Sequence, residues 1–281
     1  MNSTERLTCP MPMFPTDSVA TKRFVVGVWK DRLSISESVE MARRLSEMCS
    51  DLKVSRFVAA VAPAPYAVSA VLAALRGSPI SVVYQDVHWP ASEGSYIGST
   101  PIRVLSELAI QLSLVGHSER RRFFGETNQD IHKKLHGLIA AGIHPILCVG
   151  DDVEDWQRRR EILTEQLRGA LHPEAGQPID IRQLTIAYEP VWAISTWRSA
   201  RPLPSGAEVA DMLSLTREIT AAVTGCDTSS TSFLFGGSVG PSNADEYFST
   251  RGVDGALVGG ASLRAESMAA VFNSAALAWS D

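Results

Sequence analysis

The chain has 281 residues, 45% hydrophobic and 20% charged, enough to bury a sizeable core and unlike a disordered, collagenous or coiled-coil composition. Its net charge of −5 leaves no basic footprint, which argues against a nucleic-acid partner. No apolar run approaches the ~18 residues that would span a bilayer, so no membrane partner is expected.

Residues 1–22, MNSTERLTCPMPMFPTDSVATK, contain three prolines and no apolar signal-peptide core, and read as an irregular N-terminal extension. From residue 23 onward, short β-branched runs alternate with amphipathic segments. The strand candidates are RFVVGVW at 23–29, RFVAAVA at 56–62, ISVVYQ at 80–85, LAIQLSLVG at 108–116, HPILCVG at 144–150, LTIAYEP at 184–190, SFLFGG at 232–237 and GALVGG at 255–260. Helical spacing is clearest in SESVEMARRLSEMCSDL after the first strand and in AEVADMLSLTREITAAV after the sixth. Eight βα units without a linker or repeat predict one domain over 23–281, a closed (β/α)8 barrel, with a doubly wound open sheet as the alternative. Cys9, Cys49, Cys148 and Cys226 are far apart and lack CxxC spacing, which disfavours a metal site or redox dithiol and reads as four thiols in a reducing compartment.

In a parallel barrel, chemistry gathers where strands end and the following loops begin. Lys30, His117, Glu189 and two glycine turns all fall there. His117 precedes Ser118-Glu119-Arg120-Arg121, which reads as a helix start with Ser118 as N-cap and Glu119 in the first turn. A positive helix terminus disfavours an imidazolium, and a neutral imidazole can polarise a carbonyl or hand a proton to an enediolate oxygen. Gly236-Gly237-Ser238 and Gly259-Gly260-Ala261-Ser262 let backbone N–H groups converge on an anion such as phosphate. A carboxylate at Glu189 then suits abstraction of a carbon-bound proton next to a carbonyl. Any one of these residues has a duller explanation as a solvated charge, core histidine or tight turn. Together they point to a sugar-phosphate isomerase.

Six ordered strings, Trp29-Lys30, GHSERR at 116–121, FGET at 124–127, YEPVWAI at 188–194, GGSV at 236–239 and LVGGASL at 257–263, resemble the triosephosphate isomerase family over nearly all of the chain from Arg23. The resemblance implies a cytoplasmic, cofactor-free homodimeric TIM barrel of glycolysis and gluconeogenesis, with a small phosphorylated sugar as substrate and no metal. By that resemblance Glu189 is the base, His117 the electrophile and Lys30 the active-site cation, paired with Glu119. The same base and neutral-histidine roles are a standard worked case of tuned acid–base chemistry. The phosphate ligands implied are backbone N–H groups of Ser195, Ser238, Gly259 and Gly260, Ser195 standing where the family has glycine.

The surroundings depart from the family. Val28 stands where the family has a substrate-contacting asparagine, and in the interdigitating loop at 93–99 Ile97 and Ser99 replace a threonine and a glutamate. That threonine reaches the asparagine across the dimer, so both ends of one polar contact have become apolar. Ser195-Thr196-Trp197-Arg198 replaces the usual Gly-Thr-Gly-Lys, Phe235 replaces a tyrosine whose hydroxyl latches the closed loop, and Asp151 replaces a glutamate that braces Trp192. Three readings follow: a triosephosphate isomerase, a relative acting on a four-carbon tetrulose phosphate, or a phosphate-binding scaffold without activity. Retention of Lys30, His117 and Glu189 argues against the scaffold, because binding alone would need only the glycine turns.

Overall fold

In the computed structural model, residues 23–90, 94–151, 157–174, 176–193 and 202–280 are described. The predicted N-terminal extension at 1–22 lies outside them. Eight parallel strands close in sequence order: β1 (Arg23–Val28), β2 (Phe57–Ala62), β3 (Ser81–Tyr84), β4 (Leu112–Val115), β5 (His144–Asp151), β6 (Thr185–Pro190), β7 (Ser232–Phe235) and β8 (Gly255–Val258). Closure comes from β1 pairing with both β2 and β8, which excludes the open sheet. The outer helices are α1 (Ile35–Met48), α2 (Val68–Ala74), α3 (Ile102–Glu107), α4 (Ser118–Phe124), α5 (Asn128–Ala140), α6 (Arg159–Leu171), α7 (Gly206–Thr224), α8 (Ala244–Ser249) and α9 (Ala265–Ala278). Among the described residues no helix is long and apolar enough to cross a membrane.

Strand periodicity sorts the core into two layers. Phe24, Val26 and Val28 of β1 point into the barrel with Leu112, Leu114, Ile146, Cys148, Ala187, Leu234 and Leu257. The alternate positions, including Val25, Trp29, Ile186 and Tyr188, pack outward against the helices. Because side chains alternate along a strand, the next inward positions after Val28 and Ala187 are Lys30 and Glu189. The hydrophobic pattern thus aims a cation and a carboxylate at the top of the same barrel.

Two local expectations are corrected. The fourth strand candidate began at Leu108, but Leu108 caps α3 and Ala109 has a positive φ of 53°. The apolar run at 108–116 therefore contains a helix end, a turn and a four-residue strand. Cys49 and Cys148 are free and buried, whereas Cys226 is disulfide-bonded and is not a thiol. Cys9, the remaining cysteine, lies outside the described residues.

Two helix starts are specified locally. Ser34 and Ser205 each form a capping box, with Glu37 and Glu208 respectively, satisfying amides that a helix cannot pair internally.

The strands approach closely at the end of β5. Gly150 lies opposite Glu189 in the ladder, and a Cβ on Gly150 would fall 1.8 Å from the Glu189 carbonyl oxygen. Past the end of β4, the amide of Gln166 takes the place of a neighbouring strand: Gly150 N–H donates to its Oε1 at 2.9 Å and its Nε2 donates to Gly150 O at 2.9 Å. Gly150→Ala is therefore expected to destabilise the protein by at least about 3 kcal/mol, the upper range for overpacking. Urea unfolding of the two proteins measures this, and a change below about 1 kcal/mol would show that the strands separate easily.

Candidate active site

A cavity of about 210 Å³ opens at the C-terminal ends of the strands, lined by Lys30, His117, Glu189, Gly236, Gly237, Ser238, Gly259 and Gly260 among others. Six separate segments of chain meet there. Val28 and Leu257 form its floor, and Leu203, Val239, Ser242 and Asn243 complete its wall.

Glu189 is 2% exposed. A buried carboxylate is costly unless it receives hydrogen bonds, and two donors are in reach. Ser118 N–H donates to Oε2 at 2.9 Å, and His117 Nε2 lies 3.1 Å from Oε1. Room for the side chain comes from Gly236, where a Cβ would sit 2.8 Å from Glu189 Cγ. Beneath lies the wholly buried Cys148, whose thiol is pushed well above its ordinary value chiefly by burial and further by the Glu189 charge. An uncharged thiol there adds no second anion.

His117, rather than Ser118, is the N-cap of α4, correcting the sequence-based assignment. Its Nδ1 accepts the Glu119 N–H at 3.2 Å. A ring nitrogen that accepts an amide hydrogen bond carries no proton, so the imidazole proton resides on Nε2 and faces Glu189. The cap thus selects the tautomer. Sequence preference alone favours Ser over His at an N-cap; only the approach of Glu189 shows why Ser118 N–H is spent elsewhere.

Gly116 enters this turn at φ 75°, and Arg121 fastens it: its Nε donates to Gly116 O at 2.8 Å, while Nη1 reaches Asn128 Oδ1 at 2.6 Å and Nη2 reaches Cys148 O at 3.2 Å. Burial pulls the Arg121 guanidinium below its ordinary value, opposed by Glu126, the Cys148 side chain and Glu189. This buried cation, which the sequence shows only as part of a helix start, ties the histidine turn to β5.

Lys30 adopts a positive φ of 56°, a left-handed conformation that costs a non-glycine residue roughly 1–2 kcal/mol. Gln85 helps to hold it, donating from Nε2 to Lys30 O at 2.8 Å and to Ala62 O at 2.9 Å. The ammonium pairs with Glu119 Oε1 at 2.5 Å. Glu119 itself lines a neighbouring cavity rather than the first one, and it orients the cation from the side.

The anion cradle is partly engaged. Gly259 and Gly260 line the cavity, but Ser238 N–H already donates to Ala193 O at 3.0 Å, joined by Ser238 Oγ at 2.6 Å. For Ser238 to bind an anion as predicted, that backbone bond must open. Asn243, which the sequence did not single out, shapes this loop: Gly240 N–H donates to its Oδ1 at 2.9 Å and its Nδ2 donates to Ser238 O at 3.0 Å. Ser195 lies outside the described residues, as do Thr196, Trp197 and Arg198. Asp151 accepts from Arg159 Nε at 3.0 Å and from the Tyr188 hydroxyl. Phe235 is fully buried behind the cavity.

A family model described as triosephosphate isomerase matches residues 23–275. The triosephosphate isomerase of Chlorobium phaeobacteroides (strain BS1) is 36% identical over 256 residues, covering 90% of this chain and 99% of the relative. That of Streptococcus gordonii is 37% identical over 261 residues, covering 91% and 99%. The crystal structure of triosephosphate isomerase from Bartonella henselae superposes with a TM-score of 0.75 at 29% identity, covering 90% of this chain and 98% of that one.

The tautomer is open to direct measurement. Nitrogen NMR at neutral pH is expected to show His117 Nδ1 as an unprotonated, pyridine-type nitrogen and Nε2 as protonated. The reverse assignment would mean that the Glu119 N–H cap does not fix the ring.

Proposed function

The chain belongs to the triosephosphate isomerase family, and we propose that its cavity interconverts dihydroxyacetone phosphate and glyceraldehyde 3-phosphate with Glu189, His117 and Lys30 as the catalytic residues. The observation that carries the residue assignment is the convergence of a buried carboxylate, an Nε2–H imidazole 3.1 Å away and a lysine on one cavity walled by glycine turns. Glu189 takes a proton from C1 of the ketose while His117 Nε2–H donates toward the carbonyl oxygen, giving an enediolate. Lys30 offsets the developing negative charge. His117 passes its Nε2 proton to O2 and takes up the proton of the O1 hydroxyl, and return of the proton from Glu189 to C2 as C1 becomes a carbonyl completes the aldose.

In this structure the Glu189 carboxylate occupies the His117 and Ser118 donors. A substrate carbonyl competes for the first of these, which would free one carboxylate oxygen to approach carbon. Backbone N–H groups at Gly259 and Gly260 suit the phosphate, with Ser238 joining once it leaves Ala193. Similarity to triosephosphate isomerases, at 36% and 37% identity over about nine-tenths of the chain, favours the three-carbon substrate over a four-carbon ketose phosphate and over a scaffold. The same reading treats residues 23–281 as one catalytic domain and assigns the enzyme to cytoplasmic glycolysis and gluconeogenesis, where such a reaction has its substrate.

A homodimer is part of this reading. Val28, Lys30, Glu119, Phe123 and Phe124 line a cavity of about 490 Å³ beside the first. Ile97 is fully exposed, and Tyr96, Phe123 and Phe124 are also largely uncovered. A second copy that inserts its Ile97 into this cavity against Val28 would bury these apolar groups twice in a two-fold interface.

Glu189→Gln tests the chemistry: kcat is expected to fall about a thousandfold or more, within reach of what a positioned general base supplies, with inorganic phosphate binding nearly unchanged. Wild-type turnover in this variant would sink the assignment.

The interface is tested by Val28→Asn, Ile97→Thr and the double variant in sedimentation across protein concentration. Each single change is expected to weaken the dimer by roughly 1–3 kcal/mol per site through a buried polar group without a partner. The pair should recover part of the loss, with a coupling of about 0.5–3 kcal/mol. Additive effects would remove the Val28–Ile97 contact, and a monomeric parent would remove the interface.

A further inference from the structure

Leu203 lines the candidate cavity beside the glycine turns and is 37% exposed. It lies in a short stretch, Leu203-Pro204-Ser205-Gly206, that leads into α7 and is fastened to α8 at two points. The Tyr247 hydroxyl donates to Pro204 O at 2.6 Å, and Gly206 N–H donates to Glu246 Oε1 at 2.5 Å. Tyr247 is itself 1% exposed and meets Phe235 edge-to-face, with ring centroids 5.4 Å apart.

The connection between these residues runs through α8. That helix follows directly on the loop Ser238–Asn243, which walls the cavity and is braced internally by Asn243. The side chains of Glu246 and Tyr247 then return to the chain just after Leu203. One short element thus sets the distance between the glycine loop and an apolar side chain facing it.

We propose that Leu203 is a substrate-contacting residue at the phosphate end of the cavity and that Tyr247 is its positioning residue, acting through the Pro204 carbonyl. Where Phe235 can offer no hydroxyl, Tyr247 supplies one from the next layer, to the Pro204 carbonyl. Burial and the nearby Glu246 push the Tyr247 phenol up to about 12, so it remains a donor at physiological pH. Leu203 contributes an apolar wall that limits water around the bound anion, which strengthens the charge interactions of the surrounding N–H groups.

This assignment rests on the isomerase reading for its substrate, but its geometry can be tested without turnover. Tyr247→Phe, Leu203→Ala and the double variant are compared for KM and kcat with triose phosphates, for inorganic phosphate affinity by calorimetry, and for Tm. Tyr247→Phe is expected to raise KM and the phosphate dissociation constant about threefold to tenfold, the equivalent of one hydrogen bond, with a smaller change in kcat. In the Leu203→Ala background the same change should have almost no further effect on either constant. A lowered Tm with both constants unchanged, or independent effects of the two substitutions, would overturn the proposal. Absence of turnover in the parent would overturn the isomerase reading alone, because the phosphate cycle would still report on Tyr247 and Leu203.

Discussion

The organisation of the site depends on keeping a carboxylate buried at Glu189. An ion taken out of water must receive replacement interactions or become protonated. Ser118 N–H and His117 Nε2 provide them here, and both come from the first turn of a helix, where amides are unpaired and the field favours an anion. The same turn uses Glu119 N–H to hold His117 Nδ1. One helix start therefore donates to the Glu189 carboxylate, holds one tautomer of His117 and, through the Glu119 side chain, pairs with Lys30.

Space around that carboxylate is made by removing side chains. Gly150 and Gly236 flank Glu189 where a methyl group would collide with its backbone or its Cγ. Missing side chains leave backbone groups that need partners. Gln166 meets those of Gly150, and Gly236 N–H donates to Tyr188 O at 2.8 Å. Arg121 then joins Gly116 to Cys148 across the top of the adjacent strands. Glu189 is held in place by this shell of glycines and amide clamps as well as by its own contacts.

The positions at which this chain departs from its family have physical consequences of different kinds. Val28 makes the cavity floor apolar and borders the surface against which Ile97 of a second copy would pack. Phe235 removes a hydroxyl from one layer, while Tyr247, in contact with that ring, provides one to Pro204. Asp151, shorter than a glutamate, is drawn to Tyr188 and Arg159 at the outer side of β6.

Eight strands alternating with helices, and the position of Lys30 and Glu189 at strand ends, were legible in the sequence, because they depend on residue periodicity and on what a barrel must bury. The sequence could not show that Leu108 ends a helix, since an apolar run reads alike as strand or buried helix. Nor could it show that His117 rather than Ser118 is the cap, because that choice depends on Glu189, seventy-one residues away in the chain. The roles of Gln85, Arg121, Gln166, Leu203 and Tyr247 were decided only by tertiary structure. Each acts on a backbone carbonyl or amide, or on a cavity wall, supplied by another element, and hydrogen bonds of that kind have no spacing that a linear sequence can display.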